Sequence, residues 1–188
     1  MASLGGMTIF EGRGFPAGLA AALSVPFAEE DGVDFEALAS FLPEAEAAAW
    51  FRRWSGNEGC GDAEFLVFGA DGAGGYGAVW VTRPGRPVED QPVVFLGSDG
   101  DAAVVARDLG DFLWLLADGF GPREAAGHAA GRRRTGRPHA GLTAVAERFA
   151  PGPRRPGAIV VEQAGREFPD FEDLVYGMGW IAEGPAAG

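Results

Sequence analysis

The sequence predicts an α+β fold in which helices from both ends of the chain pack on a largely antiparallel or mixed β-sheet. Of its 188 residues, 47% are apolar and 22% charged, which is typical of a soluble globular chain with one substantial core. Short apolar runs separated by turn residues fill the middle of the chain, and apolar residues at helical spacing lie on both sides of them. We expect a single domain over residues 7–188 and a disordered N-terminus over residues 1–6.

The N-terminal part of the chain predicts two helices. Asp34 can cap the first, and Pro43 either ends that helix or begins the second. The apolar residues that recur at helical spacing in the two segments are Phe35, Leu38, Phe41 and Leu42, followed by Ala47, Trp50, Phe51 and Trp54.

The clearest strand signals follow. Two apolar, aromatic runs, 64–68 and 76–82, flank a glycine-rich stretch and predict a β-hairpin. The Asp71 side chain can bond the backbone of this turn, while Gly72 and Gly74 can supply positive φ angles. Beyond the next turns, two further strands are predicted at 92–96 and 102–106.

The C-terminal part predicts mainly helices. Asp108 caps and Gly119 ends the best-defined one, because the apolar residues between them recur at helical spacing. Pro122 suits the first position of another helix, which we expect to be exposed. The predicted elements after Gly119 are a helix at 123–130, a helix at 143–149, a strand at 158–162 and a final helix at 170–176.

The charge is strongly acidic and unevenly distributed. The net charge is −12, and all 15 basic residues are arginines, which excludes a Schiff-base lysine, a P-loop lysine and a lysine general base. Such an acidic chain disfavours nucleic acid and anionic membranes as partners and favours a basic protein. Residues 121–155 are the exception, with eight arginines and two acids, and we expect a polar connection or a helix pair laid on an acidic core.

The cysteine content and the lack of a convincing signal or membrane segment suit a cytoplasmic protein. Cys60 is the only cysteine, so no internal disulfide can form. The apolar stretch 15–28 is too short and too interrupted by proline and glycine for a membrane span, and it lacks a basic region before it.

Neither a cofactor nor a metal ion is expected. Residues 72–77 match the G-x-G-x-x-G pattern, but a strand rather than a helix follows, so a hairpin turn is the better interpretation. His128 and His139 lack the companion ligands of a metal site, and we expect them to be solvated.

The sequence offers residues for two kinds of catalytic site. Ser98 or Cys60 would need a histidine brought close by the fold, and neither lies in a nucleophile motif. Paired carboxylates could perform acid and base chemistry if they were buried together, but loop acids are normally solvated. The arginine cluster 132–137 lacks interleaved aromatics, so an acid-paired or solvated loop is favoured over a nucleic-acid site.

Five residues are the candidates for binding a protein partner. Trp114 lies near the edge of its helical stripe, where an exposed indole would serve recognition. The other four lie in two loops at opposite ends of the strand 92–96, so we expect a stripe along one sheet edge rather than a compact patch. These four are Glu89, Asp90, Asp99 and Asp101. The alternative is that they are ordinary solvated turn acids.

Four segments carry a family resemblance. Residues 64–75 (EFLVFGADGAGG) are followed by AVW at 78–80, QPVVFLGSDG at 91–100 and VVARDLGDFLWLL at 104–116. In this order of hairpin, strand, turn, strand and helix, the chain resembles the SMI1/KNR4 family, or SUKH superfamily. The resemblance covers the core 64–119, while the N-terminal 50 residues and the arginine-rich insert 123–155 lie outside it.

The resemblance implies an α+β fold and a role without catalysis. Bacterial members of the family mostly serve as immunity proteins, which bind and block a co-encoded toxin, often a nuclease. Fungal members act as regulatory scaffolds. We therefore expect a cytoplasmic immunity protein with a basic toxin as partner. A regulatory scaffold or ligand-sensing domain and a small hydrolase using paired carboxylates stay as alternatives.

Overall fold

The computed structural model describes residues 15–26, 33–56, 65–132, 136–150 and 152–180, with side chains up to Val175. Within these ranges the helices are α1 (Ala17–Leu23), α2 (Glu44–Ser55), α3 (Leu109–Ala117), α4 (Pro122–Ala129), α5 (Ala140–Phe149), α6 (Gly157–Glu167) and α7 (Phe171–Trp180). The strands are β1 (Glu36–Ala37), β2 (Phe65–Ala70), β3 (Tyr76–Trp80), β4 (Val93–Leu96) and β5 (Ala102–Ala106). The expectations for residues 1–6, Cys60 and 133–134 lie outside the described residues.

The strands form one antiparallel sheet in the order β1-β2-β3-β4-β5. Each strand pairs with its neighbour in sequence, so the described sheet is a meander. The predicted α+β class with an antiparallel sheet is therefore confirmed, and the predicted strands at 92–96 and 102–106 correspond to β4 and β5.

Helices cover both faces of the sheet. On one face, Phe68, Val79 and Phe95 pack with buried residues of α1, α3, α4, α5 and α6. On the other, Val67 and Leu96 pack with α2 and α7. Because β4 lies inside the sheet and both faces are covered, all four of its residues are buried.

The helices with clear capping residues or apolar spacing in the sequence form as predicted. Asp108 caps α3, its side chain accepting a hydrogen bond from the Asp111 backbone N–H at 2.8 Å. After α3, Gly119 takes a φ of +81°, where a side chain would be strained and would also meet the Arg137 backbone. The predicted helices at 143–149 and 170–176 correspond to α5 and α7.

The glycine-rich hairpin turn is also confirmed, with one correction. Asp71 Oδ1 accepts hydrogen bonds from the backbone N–H groups of Ala73 at 3.0 Å and Gly75 at 2.7 Å. A positive φ occurs at Gly74 (+88°) but not at Gly72, whose N–H donates to Asp34 Oδ1 at 3.0 Å. The strand β3 follows the glycines, so they do not form the entrance to a helix.

Two predicted elements are wrong. Asp34 caps no helix: the chain after it forms β1, and the Phe35 ring lies over Gly69 and Gly77 of the sheet, where a side chain would collide with it. The strand predicted at 158–162 is part of α6. Its buried residues follow a helical spacing because α6 packs against both α3 and β5. They are Gly157, Val160, Val161 and Ala164.

Two expectations of exposure are wrong as well. The helix predicted at 123–130 is α4, and most of it is buried because its small residues pack against β4, β5 and α6. Trp114 is only 5% exposed, since α3 is surrounded by the sheet and by α1, α5 and α6, which leaves no free edge to its apolar stripe. Trp114 therefore presents no indole to solvent.

None of the helices in the described ranges combines the length and the apolar character that crossing a membrane requires.

Candidate functional site

The sheet has two chemically different ends. The turns β2–β3 and β4–β5 emerge at one end, which we call the open end: residues 71–75 and 97–101, with Asp34, Arg123 and Arg132. The β3–β4 connection and the start of α3 lie at the other, the closed end: residues 82–92 and 107–111, with Arg155 and Glu167. This separation follows from the meander, because successive turns alternate between the ends.

At the open end, Arg123 at the start of α4 joins two carboxylates. Its Nη1 donates to Asp34 Oδ2 at 2.7 Å, and its Nε lies 3.6 Å from Asp71 Oδ2. The Asp71 side chain is 2% exposed, whereas that of Asp34 is 49% exposed. Arg123 thus anchors α4 to the hairpin turn and compensates a buried carboxylate.

A cleft of about 310 Å³ lies between the two turns and α4. Its charged lining comprises four acids and two arginines: Asp71, Asp99, Asp101, Glu124, Arg123 and Arg132. Arg132 Nη2 contacts Asp101 Oδ2 at 3.2 Å, and both side chains are at least 60% exposed. Asp99 is exposed, without an ion pair in the part of the chain that the structure describes. The cleft is therefore acidic on balance and open to solvent.

The closed end is tied together by Gln91. This side chain is almost fully buried, and its Oε1 accepts from the backbone N–H groups of Thr82 at 3.1 Å and Arg83 at 2.9 Å. Its Nε2 donates to the carbonyls of Arg83 at 2.7 Å and Arg86 at 3.3 Å. Every hydrogen-bonding group of this buried amide is satisfied, so Gln91 holds the β3–β4 connection in place.

Asp111 is the second buried polar side chain that stabilises the closed end. Its side chain is 2% exposed and accepts from Arg107 Nε at 2.8 Å and from Arg155 Nη1. The hydrogen bond with Asp111 raises the pKa of Arg107 above its ordinary value. Burial raises the pKa of Asp108, the neighbouring carboxyl, although the Asp111 backbone N–H opposes this effect.

The predicted partner-binding acids are divided between the two ends. Asp99 and Asp101 line the cleft at the open end, while Glu89 and Asp90 lie in a short 3₁₀ helix, Val88–Asp90, at the closed end. Asp90 is bound by Arg86 at 3.5 Å. The expected stripe along a sheet edge is wrong, because β4 lies inside the sheet between β3 and β5. As expected from the strand length, the two loops do lie at opposite ends.

The other residues considered for chemistry have structural positions. His139 is not simply solvated: its Nδ1 accepts from the Leu142 N–H at 3.3 Å and caps α5. His128 packs edge-on against the Phe120 ring at 6.0 Å. Ser98 lines the cleft, which has no histidine among its described lining residues. Within the described ranges, no group of three or more His, Cys, Asp or Glu side chains could hold a metal ion.

Three residues of the cleft wall, Arg123, Glu124 and Asp71, were not among the predicted site residues. Only the tertiary fold brings them together. Arg123, for example, is 89 residues away in the chain from Asp34, the carboxylate to which it donates. The available signal was the opposite charge of residues 121–155 and the preceding block, which suggested pairing without identifying the pairs.

No family model, curated protein or solved structure matches this chain.

Proposed function

We propose that the chain is a non-enzymatic protein-binding domain that binds and neutralises a basic, co-encoded toxin, as do the SMI1/KNR4 immunity proteins that it resembles. The observation that carries the proposal is that most described arginines are paired with acids of the chain itself. Eight described arginines form ion pairs with the chain's own acids. They are Arg83, Arg86, Arg107, Arg123, Arg132, Arg154, Arg155 and Arg166.

Internal pairing of the arginines leaves the surplus of acids to face a partner. The chain has 27 acids and 15 arginines, and surface acids such as Glu89 and Asp99 have no ion pair within the described ranges. A nuclease toxin has a basic substrate cleft, so an acidic inhibitor is steered towards it and associates rapidly. The arginine-rich insert 123–155 would therefore not repel a basic partner strongly, because most of its described arginines are paired with acids of the same molecule.

The two alternatives have weaker support. A ligand-sensing domain would use the cleft, but about 310 Å³ is at the lower limit for small-molecule sites, and a charged lining differs from the mostly apolar one of such sites. The carboxylates considered for a hydrolase are not buried together, since Glu89, Asp99 and Asp101 are exposed. Asp71, a buried carboxylate of the cleft, is occupied by the N–H groups of its own turn and by Arg123.

The test is binding of the purified protein encoded by the adjacent toxin gene. We expect association to slow as the salt concentration rises, and the double variant Asp99→Arg/Asp101→Arg to associate about tenfold more slowly at low salt with little change in dissociation. Glu89→Arg is the control for charge reversal at the closed end. Absence of binding by the wild-type protein, or no rescue of cells that express the toxin, would reject the proposed function.

A further inference from the structure

Helix α2 presents two tryptophans that are not fully buried. Its buried residues are Ala47 and Phe51, while Trp50 and Trp54 are partly exposed. The two indoles stack at 5.6 Å with an interplanar angle of 13°, and the Trp50 ring lies 4.4 Å from the partly exposed ring of Tyr76. We call Trp50, Trp54 and Tyr76 the aromatic patch.

The aromatic patch adjoins the open end of the sheet. Trp54 Nε1 donates to the Gly97 carbonyl at 2.5 Å, which holds the indole against the β4–β5 turn. Ser98 and Asp99, the next two residues of that turn, are exposed. Asp99 therefore lies at the border between the aromatic patch and the acidic cleft. Because Trp54 is fixed by this bond, the patch has little side-chain freedom to lose on binding.

Two polar groups of the patch are available to a partner. Among the described residues, neither the Trp50 indole N–H nor the Tyr76 hydroxyl has a hydrogen-bond partner, and neither atom is buried. An apolar ring with a polar tip in contact with solvent is the arrangement that makes Trp and Tyr common in binding hot spots.

The charges around the patch favour a cationic partner group. Glu46 precedes Trp50 by four residues, so it lies on the same face of α2, and it is exposed without an ion pair in the described ranges. Asp99 lies two residues after Gly97, the residue that Trp54 contacts. Arg53, three residues after Trp50, is an exposed cation on the same face of α2, so two carboxylates stand against one exposed guanidinium around the patch. A guanidinium stacked on Trp50 or Tyr76 would gain cation–π attraction and reach a carboxylate as well.

We propose that the aromatic patch, bordered by Glu46 and Asp99, is the surface that binds the basic partner, and that it receives an arginine side chain of that partner. This inference rests on the proposed function and specifies where the toxin binds. The cleft acids then contribute mainly to the association rate, while the aromatic patch determines how long the complex lasts.

The test compares the same substitution at two partly exposed tryptophans. Trp50→Leu removes the indole at the patch, and Trp80→Leu removes one near the closed end, where Trp80 packs on Phe168 and Phe171. With the purified adjacent toxin as probe, we expect Trp50→Leu to raise Kd about tenfold or more, mainly through faster dissociation. Trp80→Leu should bind within about twofold of the wild type.

Exposed charge variants test the same surface without disturbing the packing. We expect Glu46→Lys to slow association and Arg53→Glu to accelerate it at low salt. These variants decide the question if Trp50→Leu proves to be unfolded by thermal denaturation. If the wild-type protein binds the toxin but the Glu46, Arg53 and Trp50 variants bind like it, the inference is overturned and the proposed function stands. If the wild-type protein does not bind, both are overturned.

Discussion

The two ends of the sheet contain the same types of charged residue in different environments. At the closed end, the Asp111 side chain is 2% exposed and binds two arginines, Arg107 and Arg155. At the open end, the Asp101 side chain is 63% exposed and pairs with Arg132, which is itself 60% exposed. Removing one partner of a buried pair leaves an uncompensated charge, whereas an exposed pair exchanges easily for water or for another ion.

This difference assigns different roles to the two ends. At the closed end, Gln91 ties the residues of the β3–β4 connection to one another. Arg83 links this connection to Arg107 and to Glu167 of α6, and Asp111 links α3 to Arg155. The open end keeps exposed charges and part-exposed aromatics beside a cleft. The buried Asp71, paired with Arg123, anchors α4 there, so a partner that contacts the exposed Asp99 and Asp101 leaves the interactions that stabilise the fold intact.

The largest expected effect is that of Asp111→Ala. It removes the carboxylate between Arg107 and Arg155, and we expect a loss of about 3 kcal/mol in the free energy of unfolding. The value is at the lower end for a buried pair because both arginines are partly exposed and can be solvated. Urea denaturation measures it. Asp101→Ala is the matched control at the open end and should cost about 0.5 kcal/mol or less; equal losses in the two variants would contradict the comparison.

Gln91→Ala should have the next largest effect. It leaves the backbone N–H groups of Thr82 and Arg83 without the acceptor that Gln91 supplies, and it opens a small cavity. We expect a cost of about 2 kcal/mol, measured by thermal or urea denaturation. Hydrogen exchange should show faster exchange of these two amides. Unchanged protection of both would mean that the β3–β4 connection is held in another way.

How much of this could be predicted depends on where the signal lies. The helix α3 and the β2–β3 hairpin were predicted because Asp108, Asp71 and Gly74 act on backbone groups a few residues away. The helix α6 was not, since its run of Ala, Ile and Val is compatible with a buried strand until its packing partners are known. Phe35 was likewise predicted in a helix, because its spacing to later apolar residues does not reveal that its ring packs over two glycines of the sheet.

The candidate site was predicted only in part. Asp99 and Asp101 do lie in one exposed loop, but the stripe that was to join them with Glu89 and Asp90 along a sheet edge does not form, because β4 is an inner strand. The pairing of Arg123 with Asp34 and Asp71 depends on the tertiary fold and has no local signature. Trp50 and Trp54 were expected in the buried stripe of a helix and Tyr76 only in a strand, because spacing alone does not distinguish a buried ring from one at the edge of a helix–sheet contact.

A smaller effect is expected in the hairpin turn at the open end, where the same substitution can be compared at two glycines. Gly74→Ala should cost about 1 kcal/mol because Gly74 has a φ of +88°, although the space around it is free. Gly72→Ala should change the free energy of unfolding by about 0.5 kcal/mol or less, since Gly72 has no positive φ and the nearest atom to a new methyl group belongs to the flexible Asp34 side chain. Thermal denaturation of both variants checks the difference, and a larger loss for Gly72→Ala would reverse our description of the turn.

The smallest expected effect is on the pH dependence of stability, and it comes from Asp108, one of the two carboxyls at the start of α3. Burial raises the pKa of Asp108, and the charge of the Asp111 carboxylate adds to this shift, while the Asp111 backbone N–H, Arg107 and Arg155 oppose it. A carboxyl with a raised pKa in the folded state stabilises the fold at low pH, and this contribution is lost as the pH rises through the folded-state pKa. Asn caps a helix about as well as Asp but does not titrate in this range. The stability of Asp108→Asn relative to the wild type should therefore increase between about pH 3 and pH 7. Urea denaturation of the two proteins at both pH values measures this, because the other acids titrate alike in both and cancel in the difference. A relative stability that falls with rising pH would mean that the ionised Asp108 is favoured at the N-terminus of α3 despite its burial.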